Sequence, residues 1–109
     1  MDNCIFCKIA NKEIPKEFTY EDTELMVFPD IHPIKPVHLL VVPKQHIPTL
    51  MELENNDLNN KIHKLIKEMV FQHGLDDKGF RIVINGGGAQ AVDHLHFQIT
   101  GPWGHAADL

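Results

Sequence analysis

One segment of this chain carries the periodicity of a long helix, and every other apolar run is too short to be a second. Between Asp57 and His73, the residues Leu58, Ile62, Leu65, Ile66, Met69 and Val70 recur at three- and four-residue spacing, and Gly74 supplies the stop. A single stripe of this kind has to be buried against one partner surface. The other apolar runs have the length of strands: Phe18–Tyr20, Glu24–Phe28, His38–Pro43, Phe80–Asn85 and Val92–Thr100. Glu21-Asp22-Thr23 reads as the hairpin turn between the first two. The segment from Pro29 to Pro36 holds three prolines and is a loop, because a proline cannot serve a central strand. His38–Pro43, nearly all apolar, is the expected centre of the sheet. Residues 4–9 read as a short turn of helix with Ile5, Phe6 and Ile9 on its apolar side. The expectation is one α+β domain over residues 1–109: a five-stranded, largely antiparallel sheet with one long and one short helix.

Charge and length narrow the partners. The 109 residues carry a formal net charge of −5 and no dense basic run, which argues against nucleic acid or an acidic membrane surface. No apolar run approaches the roughly 20 residues of a membrane span. Met1-Asp2-Asn3-Cys4 lacks the basic and apolar regions of a signal peptide, so a cytoplasmic location is expected. The two cysteines, Cys4 and Cys7, stand two residues apart, and in a reducing compartment such a pair is a metal or redox site more often than a disulfide.

The stretch His94-Leu95-His96-Phe97-Gln98 alternates polar and bulky apolar side chains. If it is a strand, Asp93, Leu95, Phe97 and Ile99 share one face and Val92, His94, His96, Gln98 and Thr100 the other. Leu95, Phe97 and Ile99 would pack on the long helix. Two imidazoles and an amide would then line the opposite surface, either as a solvated polar face or as a site.

Four segments in order, CIFCKIANKEIP, FPDIHPIKPVHLLVVPKQHI, the helix and INGGGAQAVDHLHFQI, make the chain resemble the histidine-triad (HIT) family, specifically its small nucleotide-binding type. The likeness runs from Cys4 to about Trp103. It implies the HIT-like fold, a five-stranded antiparallel sheet with two helices, and a homodimer. Two positions depart from the family pattern: the third histidine of the triad is Gln98, and the usual serine before Val92 is Ala91. His-x-His-x-Gln is instead the pattern of the galactose-1-phosphate uridylyltransferase branch.

The resemblance also implies a chemistry. His96, the middle histidine, would attack the α-phosphorus of a purine nucleotide or nucleotide conjugate and form a nucleotidyl-histidine intermediate. A neutral imidazole has the lone pair this requires, provided its other nitrogen is held by an acceptor. Gln98 can donate N–H to a phosphate oxygen but cannot protonate a leaving group. His38 matches a further active-site histidine. Ile5, Phe6, Ile9, Phe28 and Ile31 match the apolar base pocket, and Asp30 matches the aspartate that accepts from the ribose hydroxyls. Asn85 and the backbone N–H groups of Ala89, Gln90, Ala91 and Val92 match the phosphate cradle. In bacterial relatives the Cys-x-x-Cys binds a structural zinc with the histidine of Pro-x-x-His and the first triad histidine, which here are Cys4, Cys7, His46 and His94. Tetrahedral zinc takes such a set and leaves no position for substrate. The tail Gly101–His105 would reach toward the partner's site. Two functions stay open: a hydrolase or nucleotidyltransferase working through His96, or a nucleotide-binding regulatory module in which Ala91 and Gln98 have weakened turnover. His32, His63, His73 and His105 match no role.

Overall fold

The apolar pattern of the strands fixes a sheet with two buried faces. The computed structural model describes residues 3–105. In chain order these form α1 (Ile5–Ala10), β1 (Tyr20–Glu21), β2 (Leu25–Pro29), β3 (Val37–Pro43), a short 3-10 turn (Leu50–Glu52), α2 (Asn56–Gln72), β4 (Arg81–Ile84) and β5 (Phe97–Gly101). The strands make one antiparallel sheet in the order β1-β2-β3-β5-β4. β3 is central, as its unbroken apolar run requires.

Alternation sorts the two faces. Leu25 and Val27 of β2, Leu39 and Val41 of β3, and Phe97 and Ile99 of β5 pack with Leu58, Ile62, Leu65, Ile66, Met69 and Val70 of α2. Met26, Phe28, Leu40 and Val42 point the other way and pack with Phe6 and Ile9 of α1. The short helix thus covers the face opposite the long one, and His38, Gln98 and Thr100 belong to its side by parity with Leu40. Asn55 caps α2 by accepting from the Leu58 N–H, and the chain leaves the helix through Gly74 at φ +69°.

Most expected elements are present within a residue or two of their expected ends, but three differ. The fifth strand begins at Phe97, not Val92. Pairing stops at Phe97, opposite Val41 on one side and Ile84 on the other: β4 ends there, and β3 runs on to Pro43 paired only with β2. Upstream of it the Leu95 N–H goes to the Ile47 carbonyl, and the Pro43 carbonyl is taken by the His94 ring, so residues 92–96 have no ladder to join. The first strand lies at Tyr20–Glu21 rather than Phe18–Tyr20, and its turn is shaped by Asp22, whose carboxylate accepts from the Glu24 and Leu25 N–H groups. The turn at Leu50–Glu52 was not expected, although Thr49-Leu50-Met51-Glu52 spells the capping box that starts it. No helix among the described residues is long and apolar enough to cross a membrane.

Ile62 is fully buried between α2 and the sheet, while its neighbour Lys61 is exposed and ion-paired to Glu24. Ile62→Ala is expected to cost about 2–5 kcal/mol by urea unfolding, whereas Lys61→Ala should leave the unfolding midpoint nearly unchanged. Equal unfolding midpoints for the two variants would contradict this assignment of the core.

Candidate functional site

The site starts with a six-residue helix. Cys4 caps α1, its sulfur accepting from the Cys7 N–H at 3.3 Å. A spacing of three residues around one helical turn puts both sulfurs on one side. Facing them are two histidines from distant parts of the chain. Cys4 Sγ lies 3.3 Å from His94 Nδ1, Cys7 Sγ 3.5 Å from the same nitrogen, and Cys7 Sγ 3.2 Å from His46 Nδ1. The four ligand atoms all fall within 4.8 Å of one another. A tetrahedron built on metal–sulfur bonds of about 2.3 Å and metal–nitrogen bonds of about 2.0–2.1 Å has edges of roughly 3.3–3.8 Å. The cluster therefore has the size and donor set of a Cys2His2 metal site and could bind a metal.

The surrounding hydrogen bonds favour the same use. His94 Nε2 lies 2.7 Å from the Pro43 carbonyl, which only accepts, so the ring proton sits on Nε2 and the Nδ1 lone pair faces the sulfurs. Burial lowers the pKa of His94 below the usual histidine value, with His46 and His96 acting in the same direction, which keeps the ring neutral as a ligand must be. Burial, then the neighbouring Cys4, pushes the Cys7 thiol up to about 11. A thiol so placed stays protonated on its own, and a bound cation is the charge that would reverse this.

His96 follows directly. Its Nδ1 is 2.8 Å from the carbonyl of His94, again a pure acceptor, so Nδ1 carries the proton and Nε2 the lone pair. Nε2 has no protein partner among the described residues, and no buried side-chain nitrogen or oxygen there lacks one. It is thus the atom through which a ring only 6% exposed meets solvent. The Phe6 ring lies edge-on to it, with centroids 5.2 Å apart.

A second chain of bonds fixes Gln98. The Ile34 N–H donates to His38 Nδ1 at 3.2 Å, which leaves the His38 proton on Nε2. That Nε2 is 3.1 Å from Gln98 Oε1 and 3.6 Å from Asp30 Oδ2. Gln98 therefore accepts through its oxygen and turns its amide NH2 outward as a donor. The opposite flip would set two donors against each other.

The polar residues expected on one face are indeed together, but not as a solvated strand face: His38, His94 and His96 are buried. Beside them lies an apolar cavity of about 330 Å³. Ile5, Phe6, Ile9, Phe28, Asp30 and Ile31 line it, as do Ala91 and Val92, which were expected at a phosphate cradle. Ile14, Pro15, Lys16 and Leu40 also line it and were not anticipated. Leu40 was legible by parity as the residue opposite Phe28. Asn85, Ala89 and Gln90 lie outside this wall. The Ala89 N–H bonds the Gly86 carbonyl, and the Gln90 side chain donates to the Pro48 carbonyl, holding the glycine loop. Gly87 and Gly88 take φ of +62° and +97°, a conformation that favours glycine. The tail, expected to extend toward a partner, is held against its own chain as far as His105: Trp103 N–H bonds the Gly79 carbonyl and Gly104 N–H the Lys78 carbonyl.

Comparison with known proteins agrees with this geometry. The family model described as scavenger mRNA decapping enzyme C-terminal binding matches residues 3–106. The chain is 48% identical over 105 residues to Protein HitA of Neisseria gonorrhoeae, covering 93% of this chain and 97% of that one. It is 42% identical over 98 residues to a HIT-like protein of Methanocaldococcus jannaschii, covering 88% and 76% respectively. Among solved structures, a HIT family hydrolase from Legionella pneumophila superposes with a TM-score of 0.86 at 37% identity, over 97% of this chain and 98% of that chain. A histidine triad protein from Clostridium difficile gives 0.82 at 44% identity, over 92% and 90%. With its sheet order, its paired histidines and these relatives in agreement, the chain belongs to the histidine-triad family.

Proposed function

We propose that this protein binds a purine nucleotide conjugate and acts as a hydrolase or nucleotidyltransferase at its α-phosphate, with His96 as the nucleophile. The observation that carries the reading is the tautomer of His96, whose Nδ1–H is committed to the His94 carbonyl and whose Nε2 lone pair is open. In this mechanism Nε2 attacks the α-phosphorus, and the leaving group departs with the electron pair of the broken bond. Water or a second acceptor then attacks phosphorus and releases His96. The Gln98 amide donates to a nonbridging oxygen as charge redistributes, and His38 positions that amide. The base would pack in the cavity that Phe6 and Phe28 line, and Asp30, which lines the same cavity, would accept from the ribose hydroxyls. Asn85 and the backbone N–H groups of Gln90 to Val92 take the α-phosphate, the Ala89 N–H being bound to the Gly86 carbonyl.

A second reading, a nucleotide-binding module with weak or no turnover, is favoured by Ala91 and Gln98, since neither can protonate a leaving group. One experiment separates the two. Incubation with a nucleoside phosphoramidate or dinucleoside polyphosphate, followed by alkaline quench and mass measurement, should reveal a nucleotidyl adduct in the native protein. In His96→Ala both adduct and turnover should vanish, while nucleotide affinity stays within about tenfold, because most binding contacts lie elsewhere. Turnover retained in His96→Ala would remove the mechanism. Binding without any adduct in the native protein would establish the second reading.

Cys4, Cys7, His46 and His94 are proposed to hold a structural zinc. When bound it supplies a cross-link between α1, the segment after β3 and the segment before β5. Elemental analysis of protein purified without chelator should give one zinc per chain. Cys7→Ser should lose it and lower the Tm by on the order of 10 °C, the shift expected for a loss of about 2 kcal/mol in a domain of this size. Nucleotide affinity should change less. Absence of zinc from the native protein would overturn the assignment.

A homodimer is the remaining part of the reading. β1, one edge of the sheet, is two residues long, whereas β4, the other, is four residues long with its outer side open. Exposed Phe71, Phe80, Val83 and Ile84 lie on or just before that strand and at the end of α2. An open apolar edge of this kind needs cover. Light scattering at tens of micromolar should give twice the chain mass, falling to the monomer in Phe71→Asp/Ile84→Asp. A native protein of single-chain mass would refute the dimer.

A further inference from the structure

We propose that Lys35, Arg81 and Trp103 form a subsite for the anionic, phosphate-bearing leaving group of the substrate, on the β4 side of His96. This deepens the nucleotide reading above and rests on it.

Register places the three residues. Arg81 pairs with Thr100, and Thr100 with His38, so these residues form one row across β4, β5 and β3. Partners in an antiparallel pair point to the same face, here the face that carries Gln98. Thr100 is buried, and its hydroxyl oxygen accepts the Trp103 indole N–H at 2.7 Å. The indole is thereby fixed over the row. Lys35 Nζ lies 4.2 Å from the ring centroid, and the Arg81 guanidinium carbon 3.9 Å from it. Both are attracted to the π-system and so share one ring, in a chain of net charge −5. Among the described residues Lys35 and Arg81 have no carboxylate within 4 Å, as is true of several other lysines, but they are the only two cations that stack on the same ring. Two like charges gathered on one ring are complementary to an anion.

The direction is set by the order of the strands. The base cavity uses Phe28 of β2 and Leu40 of β3, Gln98 stands on β5, and Arg81 on β4. A nucleotide with its base in the cavity and its α-phosphorus at His96 and Gln98 has β4 ahead of it. Thr100 is four residues beyond His96, roughly 13 Å along an extended chain. With Gln98 at the α-phosphate between them, long side chains in this row are suited to meeting a second or third phosphate. When the bond from the α-phosphorus breaks, the leaving oxygen keeps the electron pair and remains an anion. Two cations stabilise that charge without a proton, which Gln98 cannot give.

The test compares the full chain with Lys35→Gln/Arg81→Gln, two substitutions outside the His96, Gln98 and cavity machinery. Calorimetry at low salt should show a nucleoside triphosphate binding about tenfold more tightly than the monophosphate, an advantage lost in the double variant while monophosphate affinity is unchanged. Turnover of a dinucleoside polyphosphate should fall by a similar factor, and that of a phosphoramidate with a neutral amine should not. Equal affinities for mono- and triphosphate in the native protein, or an advantage that survives the double substitution, would overturn the subsite. If neither nucleotide binds, the nucleotide reading itself fails. Inorganic tripolyphosphate then decides the subsite alone: binding that the double variant abolishes supports it, and no binding ends it.

Discussion

Three contacts made by one residue, His94, connect the halves of the site. Its Nδ1 faces two thiols, its Nε2 bonds the Pro43 carbonyl, and its own carbonyl holds Nδ1 of His96. The ring has no exposed surface, so each of these groups needs its partner. The tautomer of His96 follows from a backbone carbonyl, and that carbonyl is placed by the ring of the same residue. The Cys2His2 cluster and the His96 site are therefore one structure rather than two neighbours. α1 serves both, with Cys4 and Cys7 on one side and Phe6 against the His96 ring on the other.

The sheet supplies what His94 does not. β3 is buried on both faces, so His38 enters the site from a strand whose other residues pack against α1 and α2. Its ring is held at both nitrogens, by the Ile34 N–H and by Gln98 Oε1, and this settles which end of the Gln98 amide points outward. The substitution of glutamine for the third histidine removes an acid while keeping a donor whose direction is fixed by its neighbours.

Much of this was readable in the order of residues. The unbroken apolar runs of β2 and β3 and the helical stripe of α2 marked a buried sheet and the helix that packs on it, because burial acts on every residue of such elements in turn. The Cys-x-x-Cys and the distant histidines were readable only together with the family pattern, since no local rule links positions 4 and 94. The extent of the last strand was misread for a related reason. HLHFQ alternates like a strand throughout, but a ladder also needs partners: β4 has ended before His96 is reached, and on the β3 side the Pro43 carbonyl goes to the His94 ring while the Leu95 N–H goes to Ile47. The alternation of side chains survives there, with Leu95 buried on the α2 face and His96 against Phe6, held by tertiary contacts instead of rungs. Gln98 and Thr100 were legible as neighbours; the indole and two cations above Thr100 were not, because Lys35, Arg81 and Trp103 meet only in the folded chain.

The late start of β5 has a consequence for how the site opens. Residues 86–94, which carry the glycine turn and the Ala91–Val92 wall of the cavity, are tied down by few bonds, those of Ala89, Gln90 and the His94 ring, and by no strand ladder. Displacing the Ala89–Val92 part of the loop costs no rung of the sheet and exposes none of the α2 core. What opposes its opening is local: a few hydrogen bonds and the packing of Val92 on the α1 side, not the ladder of the sheet. His96 and Gln98, one residue outside the ladder and one inside it, stand at the border between a part of the protein that can breathe on its own and a part that moves only when the whole domain does.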